Sequence, residues 1–408
     1  MRILIGVAVM AAACTGTLTS ATGPGDDQGS AAPPAGPVQI TVRDGNAPKA
    51  GIDVLFQNSD GSVALETTTD ATGVASAPLA AGNVTVARTF SGSAARDPEI
   101  YTYVGVTAGD HLVLGDLTDD TGAPTTVNVT VPADADGTVN VVSACGTGQG
   151  TAPTVSLSVA GCPSSVKFFV TDADDDSFVL AAPYSANIDL SNGLLDGALG
   201  STFKAANVTP DISAVQVEVD AMDGSYDLYS SGAQTIDDTD PTTIDLPDLS
   251  NIDELVVATI NSSSGTQMVA SRAVYAATPH TIDASANLVP YISNATYGPS
   301  AITWTESGAG TADFVVSTLA VTGNTKYTRY IIAPHSGATL SVPTLAGADA
   351  SFNPSAADTI DGAVGIGTMA GGYAAARPFA FNTSDLVDGT PMNGTITLSY
   401  ADNTPPTL

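Results

Sequence analysis

Basic residues are scarce in this chain. Its 408 residues include 11 Lys and Arg against 42 Asp and Glu, which gives a formal net charge of −31 at pH 7. This balance argues against a surface that attracts the phosphates of nucleic acids or anionic lipid head groups. The low number of basic residues therefore predicts no nucleic-acid partner. With 3 His, 3 Cys and 1 Trp, sites built from those residues also have few candidates.

Recognisable catalytic motifs are also missing. The sequence contains no G-x-S-x-G nucleophile elbow and no H-E-x-x-H metal motif. His111, His280 and His335 stand far apart in unrelated contexts, and His335 is predicted to lie in a turn. A pair of carboxylates brought together by folding remains open as a glycosidase alternative. We predict that the protein is not an enzyme.

Long apolar runs are confined to the start of the chain. Met1-Arg2 precedes an apolar stretch from Ile3 to Ala13, which is too short to cross a bilayer as a helix and is typical of an export signal. Small residues then lead directly to Cys14. Together these features predict a signal peptide over residues 1–13.

The segment before Cys14 resembles the lipobox of bacterial lipoproteins, although Ala11 stands where that family usually has Leu. The resemblance implies that Cys14 is acylated and becomes the new N-terminus, so that the membrane is a partner through a lipid anchor. Thr15 implies, by the sorting rule of that family, an outer-membrane or cell-surface location. An ordinary secretory signal is the alternative. Residues 14–37 are rich in Gly, Pro, Ser and Ala and predict a flexible tether with a reach of about 25 Å.

The remaining sequence predicts an all-β fold. Apolar and polar residues alternate at 38–42, 127–131, 155–159 and 215–219, as in half-buried antiparallel strands, and D-G or N-G turn signals separate many such segments. Helix-forming pieces such as 203–206 and 373–376 are short. Because hydrophobic residues make up 43% of the chain, it can bury a core, and we expect tandem antiparallel β-sandwiches.

Residues 38–88 carry the clearest family resemblance. A D-G-x-x-P-x-x-G turn from Asp44 and a T-T-D-A-x-G turn around Asp70 separate apolar strands. This layout resembles carboxypeptidase regulatory-like and bacterial Ig-like domains, and implies a transthyretin-like or Ig-like sandwich with a non-catalytic role. Downstream, the pair Cys145 and Cys162, the FFVTDADDD segment and the Y-x-R-Y-I-I-A-P stretch at 327–334 are similar in layout to uncharacterised multi-domain surface lipoproteins. We predict domains over 38–131, 132–283 (divisible near 207–211) and 284–408.

Three groups of residues are candidate sites. Cys145 and Cys162 follow neighbouring predicted strands, so we predict a disulfide between them, with a reactive or metal-binding thiol pair as the alternative. Asp172, Asp174 and Asp176 form an acidic loop that is either solvated or a calcium site, calcium being the single candidate cofactor. The glycines of 146–150 are predicted to form a hairpin turn rather than a phosphate loop, because a strand pattern follows them.

Aromatic residues supply the last candidates. Trp304 alternates with Ile302 and is predicted to point into the core. Because aromatic residues make up only 6% of the chain, core packing or edge contacts are predicted for Tyr226, Tyr229, Tyr291 and Tyr297, with exposed positions that could stack on sugars as the alternative. The sequence therefore predicts a cell-envelope lipoprotein with a structural or adhesive role and a surface protein or glycan as partner. The alternative is a calcium-dependent carbohydrate-binding surface protein.

Overall fold

The computed structural model describes most of the chain after residue 35. The described residues are 36–44, 47–89, 97–115, 125–131, 138–143, 146–159, 167–172, 177–180, 187–189, 199–223, 226–246, 253–274, 279–285, 289–378, 387, 390 and 393–401. Within them the protein is an all-β sandwich fold, as predicted. No helix in this part of the chain combines the length and the apolar character needed to cross a bilayer.

The first sandwich is built from the strands that follow residue 37. One layer contains β1 (Val38–Asp44), β2 (Ala47–Pro48), β5 (Val74–Ala77) and β8 (His111–Leu114). The facing layer contains β3 (Asp53–Asn58), β4 (Val63–Thr68), β6 (Ala81–Arg88) and β7 (Glu99–Thr107). Alternation along β1 buries Val38, Ile40 and Val42 completely against Val54 and Phe56 of the facing layer.

The turn before β5 forms as its sequence predicts. The Asp70 carboxylate accepts hydrogen bonds from the backbone N–H groups of Thr72 and Val74 at 2.8 and 3.0 Å. Gly73 has a φ of +74°, a conformation that glycine adopts without a Cβ penalty. A hydrogen bond from the Thr72 hydroxyl, together with these two backbone bonds, stabilises the charged form and lowers the pKa of Asp70.

The second sandwich has two small layers. One contains β9 (Thr125–Thr130), β12 (Thr154–Val159) and β15 (Asn187–Asp189), and the other contains β10 (Val139–Ser143), β11 (Gly146–Gly150), β13 (Phe168–Asp172) and β14 (Ser177–Leu180). The predicted hairpin turn at 146–150 is wrong, since these residues form β11 and pair with β10. Its glycines are needed because a Cβ at Gly146 or Gly148 would lie 2.3 or 2.8 Å from a carbonyl oxygen of β12.

The third sandwich places three strands against five. The strands β16 (Leu199–Ala206), β20 (Thr242–Leu246) and β23 (His280–Asp283) form one layer. The facing strands are β17 (Ile212–Asp223), β18 (Tyr226–Ser230), β19 (Gln234–Ile236), β21 (Asp253–Ser262) and β22 (Gly265–Val274). Phe203 of β16, Val217 of β17 and Ile260 of β21 meet in a fully buried core between the layers.

The fourth sandwich completes the fold. It contains β24 (Tyr291–Tyr297), β25 (Ala301–Ser307) and β28 (Thr339–Ser341) in one layer, and β26 (Phe314–Thr322), β27 (Lys326–Pro334), β29 (Thr359–Met369) and β30 (Thr395–Tyr400) in the other. A 3₁₀ helix (Gly347–Phe352) follows β28, and a short helix α1 (Gly372–Ala376) follows β29. Asp361-Gly362 is one of the D-G pairs interpreted above as turn signals, but it lies inside β29, where a Cβ at Gly362 would lie 2.5 Å from the Thr318 carbonyl oxygen.

One sheet of 13 strands joins the first, third and fourth sandwiches. The strand β30 pairs with β22 of the third sandwich on one side and with β29 on the other. On the opposite side of the fourth sandwich, β27 runs parallel to β7 of the first, with Tyr330 opposite Tyr101 and their rings stacked at 4.9 Å. Residues 36–408 accordingly cluster as one compact unit. The domain boundaries given above stay predictions.

Candidate functional site

The site residues predicted from the sequence lie almost entirely outside the described residues. This applies to Cys14, Cys145, Cys162, Asp174 and Asp176. Asp172 is the last residue of β13, and its side chain is outside the described part as well. The lipid anchor, the disulfide and the calcium loop therefore stay predictions. Among the residues that are described, no group of three or more His, Cys, Asp or Glu is arranged to hold a metal ion.

A polar cluster surrounds the single tryptophan. Glu306, at the end of β25, accepts hydrogen bonds through Oε1 from the Trp304 indole N–H and from His335 Nε2, each at 2.8 Å. His335 directly follows β27, and its side chain is 14% exposed. Alternation along β25 puts Trp304 and Glu306 on the same face of the strand, where the carboxylate can reach both partners. The cluster ties β25 to the turn after β27.

The indole ring is unavailable for stacking on a sugar. Trp304 is 6% exposed and packs in the core of the fourth sandwich with Ile302 and Ile331, which confirms the predicted inward position. Tyr291 is also buried, at 6% exposure, in agreement with the predicted core packing. Its ring lies beside Gly265 and Gly308, since a Cβ added at either position would lie 3.5 or 3.7 Å from a Tyr291 ring atom. Tyr226 and Tyr229 have side chains outside the described part.

A buried acid–imidazole pair lies in the third sandwich. Glu254, near the start of β21, is 3% exposed, and its Oε1 lies 3.4 Å from His280 Nε2 of β23. The imidazole stacks on the Phe203 ring with centroids 4.7 Å apart. Burial raises the pKa of Glu254 to about 7 and lowers the pKa of His280, because each group loses water around its charged form.

This pair is poorly satisfied. Glu254 Oε2 and His280 Nε2 are buried and lack a hydrogen-bond partner, and the 3.4 Å contact between the two side chains is too poorly aligned to be a hydrogen bond. The arrangement can exchange a proton with solvent near neutral pH. The buried pair therefore lowers the stability of the sandwich and does not act as a stabilising ion pair.

A covering loop, residues 343–353, packs against the long sheet, and its Leu345 and Phe352 join the core of the fourth sandwich. Gln57 of β3 donates through Nε2 to the Thr344 carbonyl oxygen at 2.9 Å, and the Ala348 N–H donates to Glu66 of β4 at 3.1 Å. Asn353 closes the loop by accepting from the Leu345 N–H at 2.7 Å and donating to its carbonyl oxygen at 2.8 Å. The loop thus fastens the fourth sandwich to the first.

Three carboxylates meet under the tip of the covering loop. Asp349 is 6% exposed, and burial together with the charges of Asp53 and Glu66 raises its pKa to about 6. Below that pH the Asp349 carboxyl binds a proton, and the repulsion between the three groups falls. The packing of the covering loop against β3 and β4 is therefore weaker in alkaline than in mildly acidic solution.

Beside the base of the covering loop lies a cleft of about 640 Å³. Its walls come from the β3–β4 turn, the facing ends of β6 and β7, and the segment after β28; the lining residues are Ser59, Asp60, Gly61, Ala81, Gly82, Asn83, Val104, Gly105, Val106, Thr107, Ser341, Pro343, Thr344 and Ala346. The Asp60 carboxylate is engaged locally, since it accepts from both the N–H and the hydroxyl of Ser62. The cleft is lined mainly by small side chains and backbone.

An ion pair between Arg377 and Asp110, called the Arg377–Asp110 lock below, also joins the fourth sandwich to the first. Arg377, directly after α1, donates to both carboxylate oxygens of Asp110, at 2.5 and 3.0 Å, and stacks over the Tyr373 ring at 5.2 Å. The Tyr373 hydroxyl donates to the Val104 carbonyl oxygen of β7. Burial opposes ionisation of Asp110, but hydrogen bonds from Arg377 and Thr107 outweigh it and lower the pKa of that carboxyl.

Comparisons with known proteins assign no family. No family model matches the chain and no curated protein matches it. Among solved structures, the Bacillus anthracis TIE protein is similar at 12% identity and a TM-score of 0.17, with 61% of this chain and 50% of that chain covered. The E. coli alpha-2-macroglobulin in its native conformation is similar at 9% identity and a TM-score of 0.12, over 79% of this chain and 26% of that one. The chain spans half of the first protein and about a quarter of the second, and these TM-scores are too low to carry an argument.

Sequence reasoning gave no role to Glu306, Asp110 or Arg377. Asp110 meets Arg377 at a separation of 267 positions, and Glu306 bonds His335 at a separation of 29 as well as its near neighbour Trp304. The available signal was the rarity of cations: with 11 Lys and Arg in all, each one placed beside apolar sequence is a candidate for a specific partner. The Arg377–Asp110 lock and the hydrogen bonds of the covering loop join the fourth sandwich to the first.

Proposed function

We propose that this chain is an exported envelope lipoprotein with a non-catalytic structural or adhesive role, in which residues 36–408 form one stiff body. The observation that carries the proposal is the 13-stranded sheet shared by three sandwiches. Linked sandwiches usually meet through small interfaces that allow domain motion. A continuous hydrogen-bonded ladder resists such motion, which suits a body that transmits force or holds a partner at a fixed distance from a surface.

The contacts between the first and fourth sandwiches support the same role. The parallel pairing of β7 with β27, the Arg377–Asp110 lock and the covering loop all act across that junction. In the proposal, the acylated Cys14 attaches the body to an outer membrane or cell surface and residues 15–37 provide slack. The first sandwich then takes the non-catalytic role that its resemblance to carboxypeptidase regulatory-like and bacterial Ig-like domains implies.

The test separates anchoring from rigidity. Cys14→Ser is expected to abolish acylation, detected by intact mass, and to release the protein from the membrane fraction. Thr397→Pro removes a backbone donor from the middle of β30, the strand that joins the third and fourth sandwiches. Thr397→Ser is the matched control.

With equal amounts on the cell surface, Thr397→Pro is expected to lose envelope or adhesion function while Thr397→Ser keeps it. An unmodified soluble protein in its own cells would contradict the anchor. Full function in a Thr397→Pro variant whose sandwiches have come apart, as measured by limited proteolysis, would contradict the structural role.

A further inference from the structure

One buried cation differs from the others of the described residues. The buried arginines are Arg88, Arg272, Arg329 and Arg377. Arg88 lies 3.9 Å from Glu99, Arg272 lies 2.6 Å from Asp253, and Arg377 holds Asp110 through two hydrogen bonds. Arg329, in β27, is 0% exposed, and no carboxylate of the described residues forms an ion pair with it.

The guanidinium of Arg329 is largely unsatisfied. Its Nη2 donates to the Pro343 carbonyl oxygen of the covering loop at 2.6 Å, whereas Nε and Nη1 are buried without a hydrogen-bond partner. Burial lowers the pKa of Arg329 to about 10, so the group is still charged at neutral pH. An uncompensated buried charge is among the costliest features a fold can contain.

A second orphaned donor lies on the same face of the strand. Tyr327 is two residues before Arg329, is 3% exposed, and has a buried hydroxyl without a partner. The two side chains interact electrostatically. Alternation along β27 directs both side chains toward the core under the covering loop. The Nε and Nη1 groups of Arg329 and the Tyr327 hydroxyl therefore all lie without hydrogen-bond partners in the same apolar core.

The surroundings of the Arg329 guanidinium are apolar, although the Asp358 carboxylate also acts on the Tyr327 hydroxyl. Arg329 lies opposite Ile100 of β7 and Leu319 of β26 in the sheet, and Leu345 and Phe352 cover the same core. These apolar walls exclude water and strengthen the field of the guanidinium.

We propose that Arg329 and Tyr327 form an internal site for a small inorganic anion of the chloride class, enclosed by the covering loop at the junction of the first and fourth sandwiches. The anion would accept hydrogen bonds from Arg329 Nε and Nη1 and from the Tyr327 hydroxyl. It would neutralise the one buried arginine that the described carboxylates leave unpaired, and so stabilise the junction.

The first test is thermal unfolding of the full chain in sodium chloride, sodium bromide and sodium gluconate at equal ionic strength. A ligand that binds the folded state alone raises the midpoint as its concentration rises. We expect a higher midpoint in either halide than in gluconate. Arg329→Met should lose this halide-specific increment, and Tyr327→Phe, which keeps the ring contact with Phe352, should reduce it.

Controls distinguish a bound ion from a general salt effect. Arg377→Met removes another buried arginine, but one that has its own carboxylate, and should keep the full halide increment. Arg329→Met is expected to fold, since an apolar side chain of similar volume is tolerated where a buried charge stood. Equal midpoints in halide and gluconate for the wild-type chain, or an increment that survives Arg329→Met, would overturn the proposal.

A crystal grown in bromide gives the direct observation. An anomalous-scattering peak within hydrogen-bond distance of Arg329 Nε is the expected result. A water molecule at that position, with no anomalous signal, would overturn the proposal, because water supplies hydrogen bonds without charge.

Discussion

Glu254 gives the sharpest prediction about stability, because its carboxyl is buried beside a histidine that does not bond it well. Replacing it by Gln keeps the size and shape of the side chain and removes the ionisable group. Burial raises the pKa of Glu254 from its usual 4.5 to about 7. The stability that this group contributes is therefore complete below pH 4.5 and is lost as the pH rises through 7.

The magnitude follows from that difference in pKa. Each unit by which the pKa of Glu254 differs between the folded and unfolded states changes the free energy of unfolding by about 1.4 kcal/mol, which gives about 3 kcal/mol in all. His280 is 25% exposed, so solvent reaches one side of the pair and reduces the expected value to about 2 kcal/mol. Compared with the wild-type chain, Glu254→Gln should thus gain about 2 kcal/mol between pH 4.5 and pH 8.

Urea denaturation followed by circular dichroism at several pH values measures this difference. The other carboxylates of the chain cancel when the variant is compared with the wild type at each pH. The same substitution in a His280→Gln background shows how much of the effect depends on the imidazole. A flat difference, or a variant that becomes less stable as the pH rises, would refute the reasoning and indicate a stabilising ion pair.

The remaining predictions concern the Arg377–Asp110 lock, the Glu306–Trp304 hydrogen bond and the two cysteines. Arg377→Met should cost about 2 kcal/mol at pH 7, because it leaves the half-buried Asp110 carboxylate unpaired; the loss should shrink as the pH falls below 3.8 and on through the lowered pKa of Asp110, and urea denaturation measures both. Glu306→Gln should cost about 1 kcal/mol and alter the fluorescence of Trp304, whose N–H it now bonds less strongly; unchanged emission would contradict the cluster. Non-reducing peptide mapping should link Cys145 to Cys162, whereas free thiols at both positions would exclude the bond.

Local patterns predicted the strands well because alternation is a local property. The apolar–polar pattern at 38–42 lies within β1, and the Asp70 turn forms with the hydrogen bonds that its sequence suggests. Glycines were harder to interpret. Those of β11 and Gly362 of β29 resemble turn residues in sequence, yet they lie in strands where another strand or sheet approaches too closely for a Cβ.

The long sheet could not be predicted from the same patterns. Alternation shows that a segment is a strand but does not show which strand it pairs with. The pairing of β27 with β7 joins residues more than two hundred positions apart, and β30 inserts beside β22 from the end of the chain. Arg329 illustrates the same limit for sites: its position in an apolar strand is visible in the sequence, but its lack of a carboxylate partner becomes visible only in the folded core.

The most direct test of a single stiff body is native-state hydrogen exchange at its two junctions. If the sandwiches joined by the long sheet form one body, the hydrogen-bonded amides of β27 and β30 should exchange only through global unfolding, with the same free energy as those of β26. Exchange at either junction with a clearly lower free energy than in β26 would show that the sandwiches separate on their own, and would contradict the account.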